Sequence, residues 1–133
     1  MNPTPEDLQA IPLFASLSSD QLRVLAPWFD VQQADVGRRL TGEGAPGYSF
    51  FVLGEGTASV TVDGAEIATL DPGDVFGEAA ILGNGRRTAT VTTTSPARLF
   101  VLFGTEFRLM EQQFPDTATQ IEVLMRQRVG DSD

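Results

Sequence analysis

The sequence predicts a mainly β domain, a two-sheet jelly roll or barrel with α-helices at both ends. Three observations predict it. From Val31 to Phe103, short apolar stretches are separated every few residues by Gly, Pro and Asp, which is the texture of many short strands at near-even spacing. On either side of this region, apolar residues fall at helical spacing behind capping residues. The 133 residues suit one core, and the 41% hydrophobic content lies in the globular range. The expected organisation is a single domain over 1–133, with a helical segment 1–30, a β-roll 31–103 and C-terminal helices 104–129.

Pro3 to Ala10 reads as a short helix, with Thr4 as N-cap, Pro5 at the first position and Glu6-Asp7 in the first turn. Ile11-Pro12-Leu13-Phe14 stops it. Ser18-Ser19-Asp20 caps a second helix, whose Leu22, Leu25, Ala26 and Phe29 share a face. Both helices are expected to cover the β core. Arg38 to Thr41 is a weak strand and Ser49 to Leu53 a stronger one. Ala58, Val60 and Val62 alternate with polar residues, the pattern of a half-buried strand. Asp63-Gly64 signals a type I′ hairpin, which needs positive φ at both central residues. The chain returns over Ala65 to Leu70 and turns at Asp71-Pro72-Gly73-Asp74. The last strands are Thr88 to Thr94 and Ala97 to Phe103, joined at Ser95-Pro96. A helix with Thr105 as N-cap runs through Phe107, Met110 and Phe114, and Pro115 interrupts or restarts it. Beyond it Ile121, Leu124, Met125 and Arg128 share a face. Gly130 to Asp133 is expected to be disordered.

Composition excludes several chemistries. There is no Cys and no His, so thiol redox chemistry and nucleophile–His pairs are absent, as is the commonest ligand of zinc, iron and copper. A His-clustered jelly-roll metalloenzyme of the cupin type is therefore rejected, and no metal or cofactor is expected. All nine basic residues are Arg, against 18 acidic ones, for a net charge of −9. That balance argues against direct contact with nucleic acid. An anionic ligand would need a local positive spot. No apolar run approaches a membrane span, and the N-terminal MNPTPEDLQ lacks a basic region followed by an apolar one. A cytoplasmic location without membrane insertion is expected.

One stretch, FGEAAILGNGRRTATV over 76–91, carries candidate chemistry. Ala79-Ala80-Ile81-Leu82 are good helix formers. The first turn of a helix leaves its N–H groups unpaired, so Ala79 and Ala80 offer donors and a partial positive charge. Gly83-Asn84-Gly85 ends that turn and brings Arg87 back towards its start. Arg suits a phosphate through two parallel hydrogen bonds, and Thr88 adds a hydroxyl. Alone, such an Arg is ordinarily a solvated charge, and a Glu at a helix start only a dipole partner. Fixed spacing between apolar strands is what points to a ligand. Arg86 reads as an ordinary surface residue.

This stretch resembles the phosphate-binding cassette of cyclic nucleotide-binding domains. There a Phe-Gly-Glu opening is followed, nine residues after the Glu, by Arg, a small or hydroxyl residue, and Ala. Here these are Phe76, Gly77, Glu78, Arg87, Thr88 and Ala89, without a gap. The segments 43–60, with Gly47 and Gly56, and 70–78 are also similar to that family, as is the N-terminal Leu-Phe and capped helix. One departure is Ala79, where the family more often has a larger aliphatic residue. The resemblance implies an eight-stranded jelly-roll (double-stranded β-helix) barrel and a regulatory domain rather than an enzyme. It implies a cyclic nucleotide whose phosphate meets Arg87, Thr88 and the N–H groups of Ala79, Ala80 and Ala89. Glu78, helped by Gly77, would take the ribose 2′-OH, and the base would lie against Val60 and Phe76. The last helix would act as a lid, with Arg128 the first choice for a base contact and Leu124 and Arg126 rivals. In this family a Thr at position 88 favours cGMP in some members and touches only phosphate in cAMP binders; cAMP is preferred here. No helix-turn-helix follows the barrel. The chain therefore reads as a free-standing sensor or as the regulatory piece of a channel, transporter or enzyme. The alternative is a β-roll that binds no nucleotide and serves as a structural or protein-interaction module.

Overall fold

The computed structural model describes residues 1–42, 49–77 and 89–131, with side chains of the final helix described up to Val123. Helix α1 (Pro5–Gln9) begins in a closed capping box: the Thr4 hydroxyl accepts from the Asp7 amide at 3.1 Å, and the Asp7 carboxylate from the Thr4 amide at 2.9 Å. A 3-10 turn, Pro12–Phe14, leads to helix α2 (Ser19–Leu25), capped the same way by Ser18 and Gln21. A second 3-10 turn, Ala26–Trp28, closes this segment.

The strands are β1 (Asp30–Ala34), β2 (Arg39–Thr41), β3 (Ser49–Glu55), β4 (Ala58–Val62), β5 (Ala65–Leu70), β6 (Val75–Phe76), β7 (Thr90–Thr93) and β8 (Ala97–Phe103). They form two four-stranded antiparallel sheets, β1-β8-β3-β6 and β2-β7-β4-β5. The mainly β jelly roll with flanking helices is thus observed. The β4–β5 hairpin turns as its residues demand, with φ of 52° at Asp63 and 79° at Gly64. At Asp71–Asp74, the Asp74 amide donates to the Asp71 carbonyl at 3.0 Å and the Asp71 amide to the Asp74 carboxylate at 2.8 Å. Gly56 is required where β3 passes to β4. Its φ is 91°, and a Cβ there would sit 2.9 Å from the Ala97 Cα and press on the Pro96 carbonyl.

The first sheet is buried on both faces. Towards the second sheet it presents Phe51, Leu53, Leu99 and Val101, which meet Ala58, Leu70 and Val91. Its opposite face carries Phe50, Val52, Phe100 and Leu102, covered by Leu8, Phe14, Leu22, Leu25 and Phe29 from the N-terminal segment and by Phe107, Met110 and Ile121 from the C-terminal helices. Phe50 and Phe107 meet edge to face at 5.6 Å. Both terminal segments therefore share one sheet face, and among the described residues the second sheet's outer face carries neither of them.

Helix α3 (Gly104–Gln113) and helix α4 (Pro115–Asp131) finish the chain. Two expectations are corrected here. Thr105 is not the N-cap: β8 runs directly into α3, so Phe103 holds the cap position in extended backbone, and the Thr105 hydroxyl donates to Glu106 at 2.6 Å. The backbone is also helical through Gly130 to Asp131, where disorder was expected; extending an existing helix fixes only one residue per added bond. Arg98 on β8 ties α1 down. Its guanidinium lies 3.4 Å from the Asp7 carboxylate and 5.1 Å from the Phe100 ring centre. The Asp7 carboxyl is held below the usual carboxylate range, chiefly by the Thr4 amide and further by Arg98, with partial burial opposing them.

Candidate ligand-binding site

The sequence-predicted cassette leaves one sheet and enters the other. β6 is the edge strand of the first sheet, where Phe51 and Val52 pair with Phe76 and Val75. β7 lies inside the second sheet, between β2 and β4. The chain from Gly77 to Ala89 thus crosses between the two layers. At its start Gly77 has φ of 92°, a left-handed conformation that glycine adopts freely. At its end the Thr41 hydroxyl donates to the Ala89 carbonyl at 3.0 Å. Thr41 is buried, so this bond satisfies a group that would otherwise be stranded. Nothing in the sequence marked Thr41 for this task, because its role depends on a chain 48 residues away.

Phe76 and Val60, the two residues expected against the base, lie in one part of the core. Both belong to the cluster between the sheets: Phe76 is 4% exposed, and Val60 is half-buried opposite Val91 and Ala68. The Phe76 ring stacks on Phe51 at 4.8 Å, with 7° between planes. Phe76 is thus first a core residue that anchors the start of the crossing, and Val60 offers the more open apolar surface. Glu78, Ala79, Ala80, Arg87 and Thr88 lie outside the described residues, as does the segment with Gly47. Arg128 belongs to α4, and its side chain, with those of Leu124 and Arg126, is likewise outside them.

The C-terminal helices approach this frame through one joint. α3 ends at Phe114, whose backbone departs from helix with φ of −129° and ψ of 62°, and Pro115 starts α4. The Trp28 ring meets Phe114 edge to face at 5.9 Å. The joint therefore rests on the N-terminal segment. No helix among the described residues is long and apolar enough to cross a membrane.

The model of the cyclic nucleotide-binding domain matches residues 31–113. The chain is 35% identical over 95 residues to the cGMP-dependent protein kinase egl-4 of Caenorhabditis briggsae, a match covering 67% of this chain and 13% of that protein. It is 30% identical over 96 residues to the cAMP-dependent protein kinase regulatory subunit of Yarrowia lipolytica, covering 72% and 26%. These matches thus span about a quarter or less of either relative's length. Among solved structures, the catabolite activator protein of Thermus thermophilus shares the fold with a TM-score of 0.80 at 24% identity, over 92% of this chain and 60% of that one.

Proposed function

The chain belongs to the cyclic nucleotide-binding domain family, and from that premise we propose that it is a sensor that couples cyclic nucleotide binding to movement of its C-terminal helices. One observation carries the reading. The motif from Phe76 to Ala89 spans the crossing between two sheets, and both of its ends are anchored, by Phe76 in the inter-sheet core and by Thr41 on the Ala89 carbonyl. A segment anchored at both of its described ends suits a ligand that draws it inward.

In this proposal the cyclic phosphate is held by Arg87 and Thr88 and by the N–H groups of Ala79, Ala80 and Ala89. Glu78 accepts from the ribose 2′-OH, with its carboxylate turned away from the phosphate because like charges repel. Val60 contacts the base and Phe76 backs that surface. Arg128 reaches the base when α4 closes, stacking its guanidinium on the purine. The ligand shifts the helices only by its differential affinity for two positions of α4. cAMP is preferred over cGMP, and the output is a channel, transporter or enzyme coupled to α4.

Isothermal titration with cAMP, cGMP and 5′-AMP in parallel tests the binding. One-to-one binding of a cyclic nucleotide, tighter for cAMP and much weaker for 5′-AMP, is the expected result. Absence of binding by both cyclic nucleotides would leave the fold and reject the sensor. Trp28 is the chain's one tryptophan and touches the α3–α4 joint. Its emission should therefore change with the same midpoint as the titration. Binding without any change at Trp28 would sever ligand from helix movement.

A further inference from the structure

The exposed turn between β1 and β2 is tied to β7 by hydrogen bonds. Thr93, 2% exposed, gathers it: its hydroxyl donates to the Asp35 carbonyl at 2.6 Å and accepts from the Arg38 amide at 2.8 Å. Gly37, at φ of 80°, donates its amide to the Thr93 carbonyl at 2.9 Å, and the Thr93 amide returns a bond to the Arg38 carbonyl at 2.9 Å. This buried anchor holds out Val36, 61% exposed, and the exposed Arg38 and Arg39.

The arginines of this corner differ from the other described ones. In a chain with 18 carboxylates and nine arginines, Arg23, Arg98 and Arg108 each sit within 4 Å of a carboxylate, at 2.7, 3.4 and 2.6 Å. Arg38 and Arg39 have no such partner among the described residues; there the Arg38 guanidinium makes one hydrogen bond, to the Gln33 carbonyl at 3.4 Å. The row that continues from Arg39 across the second sheet's outer face is Thr92, Ser59 and Thr69, hydroxyls without charge. Asp35 is the one acidic residue within the turn itself.

We propose that this corner docks an acidic segment of a partner protein, with Arg38 and Arg39 meeting carboxylates, Thr92 and Ser59 adding hydroxyl donors, and Val36 taking an apolar side chain. A preorganised turn loses little freedom on binding, and guanidinium forks match carboxylates in pairs. The occupant is a short acidic peptide rather than a membrane or a nucleic acid. Those present many charges beyond the reach of two arginines, where the net charge of −9 repels them, whereas a short segment ends soon after the arginines it meets. Thr93 closes β7 and Ala89 immediately precedes it, so the corner lies about 13 Å along the chain from the described end of the cassette. It does not depend on nucleotide binding.

Fluorescence anisotropy of the intact chain with a labelled peptide of six glutamates around one leucine tests this. Saturable binding that weakens as salt rises from about 50 to about 300 mM is expected. The R38E/R39E variant should lose about tenfold or more in affinity, while R23E stays within about twofold. The double variant's thermal midpoint should remain near that of the parent chain, which separates lost docking from lost fold. Equal loss in R23E would reduce the effect to overall charge. No saturable binding to the parent chain, or equal binding by the double variant, would overturn the proposal. So would capture of phosphatidylserine vesicles through these arginines with no affinity for the peptide.

Discussion

The two sheets of this roll are built on different rules. In β3 and β8 of the first sheet, buried residues run without a break, Phe50 to Leu53 and Leu99 to Leu102, because both faces are covered. In β4 and β7 of the second sheet, apolar or buried residues alternate with hydroxyls, and in β5 every residue but Leu70 is exposed. The first sheet is a wall with packing on both sides, whereas the second is a wall with one dry side. The difference separates tasks. The covered sheet joins the N- and C-terminal segments to the β-roll in one buried cluster. The open sheet leaves an outer face for solvent or a partner, and the cassette crosses from the first kind of wall to the second.

The largest expected effect lies on the covered sheet. Phe50→Ala removes a fully buried ring from the contact between β3 and α3, and should destabilise by about 3–5 kcal/mol in urea unfolding. A loss below about 1 kcal/mol would mean the helical cover is not part of the cooperative unit. Arg87→Ala, in the crossing, should weaken nucleotide binding by roughly 2–4 kcal/mol, or about 30- to 1000-fold. Its unfolding midpoint should hardly move; an affinity change under about threefold would remove Arg87 from the phosphate.

Gly56→Ala probes how tightly the β7–β8 turn is locked against the β3–β4 connection. Positive φ and contact with Pro96 and Ala97 should together cost about 2–3 kcal/mol. A neutral result would show that the turn yields. Asp7→Asn tests the tie between α1 and β8. The Asp7 carboxyl lies below its ordinary value when folded, so its stabilisation is present above the unfolded pKa and lost as pH falls through the folded one. The parent chain should exceed the variant by about 0.5–1 kcal/mol near neutrality, and the gap should close below about pH 4. A gap that widens in acid would reverse the assigned sign. The smallest effect belongs to the open sheet: Ile67→Thr, on edge strand β5, should change stability by less than about 0.5 kcal/mol. A larger loss would reveal a cover over that face.

Local chemistry was legible wherever a few neighbouring residues decide the backbone. The N-cap at Thr4, the cap within Ser18-Ser19-Asp20, the Asp63-Gly64 hairpin and the Asp71–Asp74 turn are all choices made within four residues. The jelly roll itself followed from the strand texture, and the family from the spacing of Gly77, Glu78, Arg87 and Ala89. Thr105 misled because its sequence neighbourhood fits a cap, while β8, held in the first sheet, carries the chain straight into α3.

The sequence by itself thus determined turns, caps, strand texture and the cassette motif, since these rest on dihedral preferences and on spacing along one chain. Tertiary structure alone decided that both terminal segments cover the same sheet, that Thr41 holds Ala89, that Thr93 secures the β1–β2 turn and that Trp28 meets Phe114. Each is a contact between residues far apart in the chain. Their free energy comes from buried area and from hydrogen bonds that must be satisfied once water is excluded, and neither exists until the sheets have closed.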